Sequence, residues 1–178
     1  MIVAAQDLLA EVGYDRLSME AVAARVGASR ATVYRRWKSK SELVLDAIAA
    51  LRWEEEPPNT GSLRSDLIAL GAVYAEQDAR RDAIITGIVT AMAHDMAIRS
   101  AVEETIARPR REAFLAIVSR AQARGEVSVG TDLAFVGQVF PAMTFYQVVA
   151  QPNPVDEDFV TRVIDRLIIP LLYSADSD

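Results

Sequence analysis

The chain contains no cysteine, so disulfides and thiolate metal sites are excluded as devices of this sequence. It has a single histidine, His94, and one imidazole with no cysteine beside it makes a poor zinc site. Neither a metal nor a cofactor is therefore expected. The opening residues, Met1-Ile2-Val3-Ala4-Ala5-Gln6-Asp7, lack the positive segment and long apolar stretch of a secretory leader. No apolar run is expected to reach the ~18 residues needed to cross a bilayer. The expectation from these absences is a soluble, cytoplasmic protein with no membrane partner.

What is present is a globular composition. Hydrophobic residues make up 51% and charged residues 25% of 178 positions, enough to bury a core in one or two domains. The net charge of −6 is unevenly spread. Residues 1–53 carry eight Lys/Arg against six Asp/Glu, and residues 54–178 carry eleven against nineteen. Arg25, Arg30, Arg35, Arg36, Lys38 and Lys40 lie in one stretch without an acid, and it holds both lysines of the chain. A solvated helix face normally mixes signs, so a one-sign patch on an acidic protein points to phosphate contact at one end.

Apolar residues recur at helical spacing throughout, and alternating Val/Ile/Thr runs are missing, so the chain reads as all-α. The spacing predicts a first helix over 2–12 ending at Gly13, then helices beginning after Ser18, Ser29 and Ser39. Ser39-Lys40-Ser41-Glu42 has the form of a capping box, the serine capping forward and the glutamate reaching back. Glu54-Glu55-Glu56-Pro57-Pro58-Asn59-Thr60-Gly61 cannot continue a helix and marks a linker. Helices are expected beyond it near 63–78, 81–93, 96–107, 109–124, 132–149 and 157–173, with Thr131 and Asp156 as N-caps. Pro109 either breaks or kinks the long stretch it interrupts. The expectation is about nine helices in two domains: 1–53, a three-helix helix-turn-helix with a linking fourth helix, and 62–173, a larger helical domain for ligand binding and dimerisation.

The most informative segment runs from Ser18 to Trp37. Two helices of seven or eight residues meet at a short turn around Gly27, the spacing of a helix-turn-helix. Gly27 can adopt the left-handed conformation that ends the first of them, and Ala23 allows close crossing. Val22, Val26 and Val33 supply a small core. The second helix exposes Arg30, Ala31, Thr32, Tyr34 and Arg35. Arg30 can fork onto guanine, the Thr32 methyl can meet a thymine methyl, and Ala31 permits close approach. Tyr34, Arg36, Lys38 and Lys40 suit phosphate oxygens. Two-helix hairpins are common in all-α proteins; the one-sign charge and the exposed tyrosine favour DNA.

Residues 1–53 resemble the N-terminal domain of the tetracycline-repressor (TetR) family of bacterial regulators. The resemblance is carried by Leu8-Leu9-Ala10-Glu11-Val12-Gly13-Tyr14, by Leu17-Ser18-Met19-Glu20-Ala21-Val22-Ala23, and by Gly27-Ala28-Ser29-Arg30-Ala31-Thr32-Val33-Tyr34-Arg35-Arg36-Trp37-Lys38-Ser39-Lys40. It implies a base-facing set of Arg30, Ala31, Thr32, Tyr34 and Arg35, and a phosphate set of Ser18, Ser29, Tyr34, Arg36, Lys38 and Lys40. Many members carry a basic arm before the first helix, and this sequence begins inside that helix. Gly61-Ser62-Leu63-Arg64-Ser65-Asp66-Leu67, Arg108-Pro109-Arg110-Arg111 and Ala123-Arg124-Gly125-Glu126 resemble an actinobacterial-type C-terminal domain of the family. The resemblance implies operator DNA, a small-molecule inducer and a second copy of the chain as partners.

Within the C-terminal part, Met92, Met96, Phe114, Met143, Phe145 and Tyr146 offer soft apolar walls to a ligand, with Gln147 and the Tyr146 hydroxyl as polar anchors. The competing reading is that such residues form core. The last two helices are richer in apolar residues than one buried stripe requires. That surplus predicts a two-fold interface containing Phe135, Val139, Val160, Ile164, Leu167, Ile168 and Leu171. His94, beside Asp95, reads as a helix-end residue, and no nucleophile or second base accompanies it. The functional expectation is a repressor released from its operator by a largely apolar ligand. The alternative is a helical-bundle enzyme or ligand-binding module with a vestigial DNA domain, which would have no need of an acid-free basic stretch.

Overall fold

Glycine and serine divide the N-terminal half into helices as their chemistry requires. In this computed structural model, residues 1–51, 56–76, 79–127, 130–151 and 153–173 are described. Trp53, Glu54 and Glu55 of the expected boundary, and the expected helix end at 77–78, lie outside them. Helix α1 spans Ile2–Arg16, but Gly13 inside it has φ 76 and ψ 172, so regular helix stops at that glycine. Helices α2 (Met19–Arg25), α3 (Arg30–Arg36) and α4 (Lys40–Ala49) follow. Ser18, Ser29 and Ser39 each accept a backbone N–H from three residues on, satisfying donors that a helix start leaves orphaned. The capping box differs from expectation by one residue: the Glu42 carboxylate accepts the N–H of Lys38 at 2.6 Å rather than that of Ser39.

The chain forms two compact units that cut across the expected domains. The first comprises residues 1–54 and 79–109. Helices α6 (Ala79–His94) and α7 (Met96–Val102) therefore pack with α1–α4, sharing a core that includes Leu9, Val22, Val33, Leu43, Ile48, Ile84, Ile88 and Ile98. Helices α1 and α6 cross backbone to backbone: a Cβ built on Gly87 would lie 2.0 Å from the Leu9 carbonyl oxygen. Gln6 is buried and donates to the Ala47 carbonyl at 2.9 Å, tying α1 to α4. Asp95 caps α7 by accepting the N–H groups of Ala97 and Ile98, which accounts for its position next to His94, exposed in the last turn of α6.

The second unit comprises residues 55–78 and 110–178. It contains α5 (Leu63–Glu76), most of α8 (Arg108–Ala123), α9 (Leu133–Phe145), α10 (Glu157–Val163) and α11 (Ile169–Tyr173). Asp132, not Thr131, caps α9 by accepting the Phe135 N–H at 3.0 Å, and Asp156 caps α10 as expected. The polar Arg124-Gly125-Glu126 segment holds the start of α5. Glu126 accepts the Leu63 N–H at 2.8 Å and pairs with Arg124. Buried Asp66 accepts from Thr60 and lies 3.8 Å from Arg124.

Prolines mark where helix geometry changes. Wider π turns at Glu103–Ala107 and Ile164–Ile168 precede Pro109 and Pro170, and contain Thr105 and Arg166 four residues before each ring. A proline ring collides with that carbonyl and donates no N–H, and a π turn reroutes the bonding. Pro109 thus alters the helix instead of ending it. Pro141 sits inside α9, which passes into a third π turn at Tyr146–Ala150.

Together those last two elements, Leu133–Ala150, make an 18-residue segment of mean hydropathy 1.4 with only 11% of it buried. This corrects the expectation that no stretch is long and apolar enough to span a membrane. Gln138, Pro141, Thr144 and Gln147 interrupt the run in sequence, but none is charged, so the average stays high. Length and composition alone do not separate a membrane span from a helix that packs on another protein.

Candidate nucleic-acid interface

Helix α3 is fixed from below and open above. Val33 is fully buried and Trp37 nearly so, with the indole N–H donating to Asp46 at 2.7 Å. Between α2 and α3, Gly27 has φ 63 and a Cβ there would meet nothing within 4 Å, so the glycine serves backbone conformation alone. With that underside locked, Arg30, Ala31, Tyr34 and Arg35 point to solvent and Thr32 is half-buried. The Thr32 hydroxyl shares a 2.9 Å hydrogen bond with Ser29, leaving its methyl as the group available for contact.

The basic side chains fall into two classes that sequence spacing could not separate. Arg25 is bound through both terminal nitrogens to Glu11, at 2.9 and 2.6 Å. Arg30 pairs with Glu20, whose carboxylate also lies 3.5 Å from the Tyr34 hydroxyl. Glu20 is held below the ordinary carboxylate range, first by its own backbone N–H and then by Arg30. Lys40 lies 4.3 Å from the Tyr14 ring centroid and donates to the Tyr14 carbonyl at 3.0 Å. Arg36 stacks at 4.7 Å over Trp37. Arg35 and Lys38 are exposed, with no side-chain partner among the described residues. Ser18 and Ser29, assigned to phosphate, have their hydroxyls engaged as helix caps. The stretch is acid-free in sequence, but α1 and α2 bring carboxylates to it from 14 and 10 residues away. Sequence reading missed Glu11 and Glu20 for that reason.

The other expected site residues fall in both units. Met92 is half-buried against the core of the first unit and Met96 is 69% exposed there. Phe114 is buried in the second unit, with its ring at the position a Gly137 Cβ would contact at 3.1 Å. Met143 and Gln147 are half-buried, while Phe145 and Tyr146 are exposed. Gln147 donates to the Pro154 carbonyl and Tyr146 accepts from Gln151. Nearby, Thr144 has a buried hydroxyl without a hydrogen-bond partner among the described residues, a group that sequence reading did not single out.

Among the expected interface residues, Val160, Ile164 and Ile168 are 1–2% exposed within the single chain. This corrects their assignment: spaced four residues apart, the three side chains share one helical face, and that face is buried inside the single chain. Phe135 and Leu167 are exposed, and Val139 and Leu171 half-buried.

Comparison with known proteins agrees with this architecture. Residues 1–47 match the model for bacterial regulatory proteins of the tetR family, and residues 57–167 match the tetracyclin repressor-like C-terminal domain. An uncharacterized HTH-type transcriptional regulator of Mycobacterium tuberculosis is 35% identical over 93% of this chain and 82% of its own length. The DNA-binding transcriptional repressor TetR of Mycobacteroides abscessus is 34% identical over 97% of this chain and 92% of its own. Among solved structures, the TetR family transcription regulator SCO0332 superposes with a TM-score of 0.62 at 27% identity, covering 94% and 93% of the two chains. FadR of Bacillus subtilis, solved in complex with stearoyl-CoA, shares the fold with a TM-score of 0.72 at 17% identity over 97% and 96%. Two family models that together cover most of the chain, with relatives above 30% identity along nearly all of it, make this protein a TetR-family helix-turn-helix transcriptional regulator.

Proposed function

We propose that this regulator acts as a homodimeric repressor whose paired α3 helices read an operator, and that a small, largely apolar molecule releases it. The observation carrying the DNA-reading role is the helix-turn-helix itself: α3 is locked underneath by Val33 and Trp37 and presents Arg30, Ala31, Tyr34 and Arg35 outward. That orientation supports Arg30, Ala31, Tyr34 and Arg35 as the base-facing residues. In the dimer, two α3 helices would stand about one DNA turn, ~34 Å, apart.

The second copy is supported by α9. Phe135 is 63% exposed, and Phe145, Tyr146 and Val149 follow along the same segment at 48%, 54% and 38%. An apolar helix that exposed costs free energy in water and gains it against another apolar face. Leu167 adds a contact from the last helical segment. Relatives support repression and ligand binding: one in M. abscessus is named a DNA-binding transcriptional repressor, and the B. subtilis neighbour was solved in complex with stearoyl-CoA. Here Phe114, Met143 and the unpartnered Thr144 hydroxyl supply soft walls and one polar anchor in the second unit. Ligand must favour the state that cannot span two half-sites, because equal affinity for both shifts nothing. Fluorescence anisotropy of operator-bound protein, titrated with acyl-chain and aromatic amphiphiles, tests this. Release by such compounds, weakened by Phe114→Ala, is the expected result; release only by small hydrophilic molecules would overturn the apolar-site reading.

A further inference from the structure

An exposed carboxylate on a surface that meets phosphates is unfavourable for affinity, so Glu20 calls for an explanation. It lies in the first turn of α2, yet one of its oxygens, Oε1, accepts from the Arg30 guanidinium and stands 3.5 Å from the Tyr34 hydroxyl. Arg30 and Tyr34 are four residues apart on α3 and share one face. A single oxygen from the neighbouring helix thus gathers both outward side chains. The two partners are not core: the Arg30 side chain is 70% exposed and that of Glu20 41%. Glu11 differs, because its pairing with Arg25 links the ends of α1 and α2 and leaves α3 untouched.

The chemistry of the pair suggests what it does. A long arginine at the start of a recognition helix can reach either a guanine edge or any nearby phosphate. The phosphate contact carries no sequence information. Glu20 competes with phosphate for the guanidinium and repels the backbone. The Arg30 contact goes through Nη2 alone. Nη2 therefore keeps a second hydrogen and Nη1 both of its own, so two parallel donors remain for guanine O6 and N7.

We infer that Glu20 is a specificity-determining positioning residue: it holds Arg30 toward the base edge and lowers affinity for sequences in which Arg30 finds no guanine. This deepens the reading of α3 as the base-reading helix and rests on it.

The test is selection of bound duplexes from random DNA, at one fixed salt concentration, with wild type, Arg30→Ala, Glu20→Ala, Glu20→Gln and the double alanine variant. Affinities for the selected site, for that site altered at the Arg30-dependent base pair, and for an unrelated duplex then follow. Glu20→Ala should bind the unrelated duplex several-fold more tightly and lose about tenfold of discrimination, the range of one bidentate base contact. The loss should fall on the same base pair that Arg30→Ala affects, and the double variant should discriminate no worse than Arg30→Ala. Glu20→Gln keeps an oxygen acceptor without the charge, so it should retain base preference while binding unrelated DNA more tightly. A merely structural role would lower melting temperature without moving base preference. Full discrimination in Glu20→Ala, or losses that multiply in the double variant, would overturn the inference. The base-reading role of α3 is judged separately, by Arg30→Ala alone: unchanged preference there would remove the foundation.

Discussion

Replacing Gly87 by alanine separates helix propensity from packing. In the middle of a helix, Gly→Ala normally stabilises by about 0.5–1 kcal/mol. Here the new Cβ would lie 2.0 Å from the Leu9 carbonyl oxygen, 2.9 Å from the Leu9 carbonyl carbon and 3.4 Å from the Gly13 Cα. All three atoms are backbone, so no side chain can rotate away. To reach ordinary contact at 3.4 Å from that oxygen, α6 must retreat from α1 by roughly 1.4 Å, and a gap of even 1 Å already forfeits up to about half of each dispersion contact it opens. Leu9, Ile84 and Ile88, all fully buried, pack in the core these helices share. Overpacking of a rigid site costs about 1–3 kcal/mol, and backbone obstruction puts this one near the top of that range. Less the propensity gain, the expected net loss is about 2 kcal/mol, or roughly 4–8 °C in Tm for a chain of this size. Thermal unfolding followed by circular dichroism at 222 nm reads it directly. An unchanged or raised Tm would refute the argument, because it would mean that α1 and α6 separate at no cost.

Four further outcomes are expected. Lys38→Ala, which removes an exposed side chain with no partner among the described residues, should reduce the slope of log K against log salt by about 0.9 while leaving Tm unchanged. Lys40→Ala should lower Tm as well, because it also removes the Tyr14 ring and carbonyl contacts; equal Tm for the two variants would argue against that distinction. Glu126 is held below its ordinary pKa mainly by the Leu63 N–H, and Asp165 mainly by Arg64. Carboxylates depressed in the folded state stabilise fully above their unfolded pKa and lose that contribution as pH falls through the folded one. Tm should therefore fall on acidification below about pH 4, and less steeply in Glu126→Gln; a Tm independent of pH between 5 and 3 would contradict this. Phe135→Glu should place uncompensated charge in the proposed dimer face twice and yield monomers by sedimentation velocity, with helicity intact, whereas an unaltered dimer would move the interface away from α9.

Local chemistry was legible in the sequence wherever a residue acts on its own neighbourhood. Ser18, Ser29 and Ser39 cap the helices they were expected to cap, and Gly13 and Gly27 take the positive φ that ends theirs. Which face of α3 points outward was legible because Val33 and Trp37 occupy the other. What was not legible depends on pairing across distance. Glu11 and Glu20 look like ordinary helix-surface acids until the fold sets them against Arg25 and Arg30. Gly87 reads as a weak point in a helix, and only the crossing with α1 shows why no side chain fits. Val160, Ile164 and Ile168 were assigned to a two-fold interface from the apolar surplus of the last two helices, which does not show which apolar face the chain buries itself; they are buried within it, and Phe135 on α9 is left as the most exposed residue of the expected interface set.

Selection of bound sequences from random duplex DNA decides whether α3 of each subunit reads base edges in a two-fold operator. The account predicts enrichment of an inverted repeat with half-site centres about one helical turn, ~10 bp, apart. It also predicts that Arg30→Ala abolishes preference at one symmetric base pair while leaving the rest of the motif recognisable. Enrichment of no motif, or a motif identical for wild type and Arg30→Ala, would contradict it.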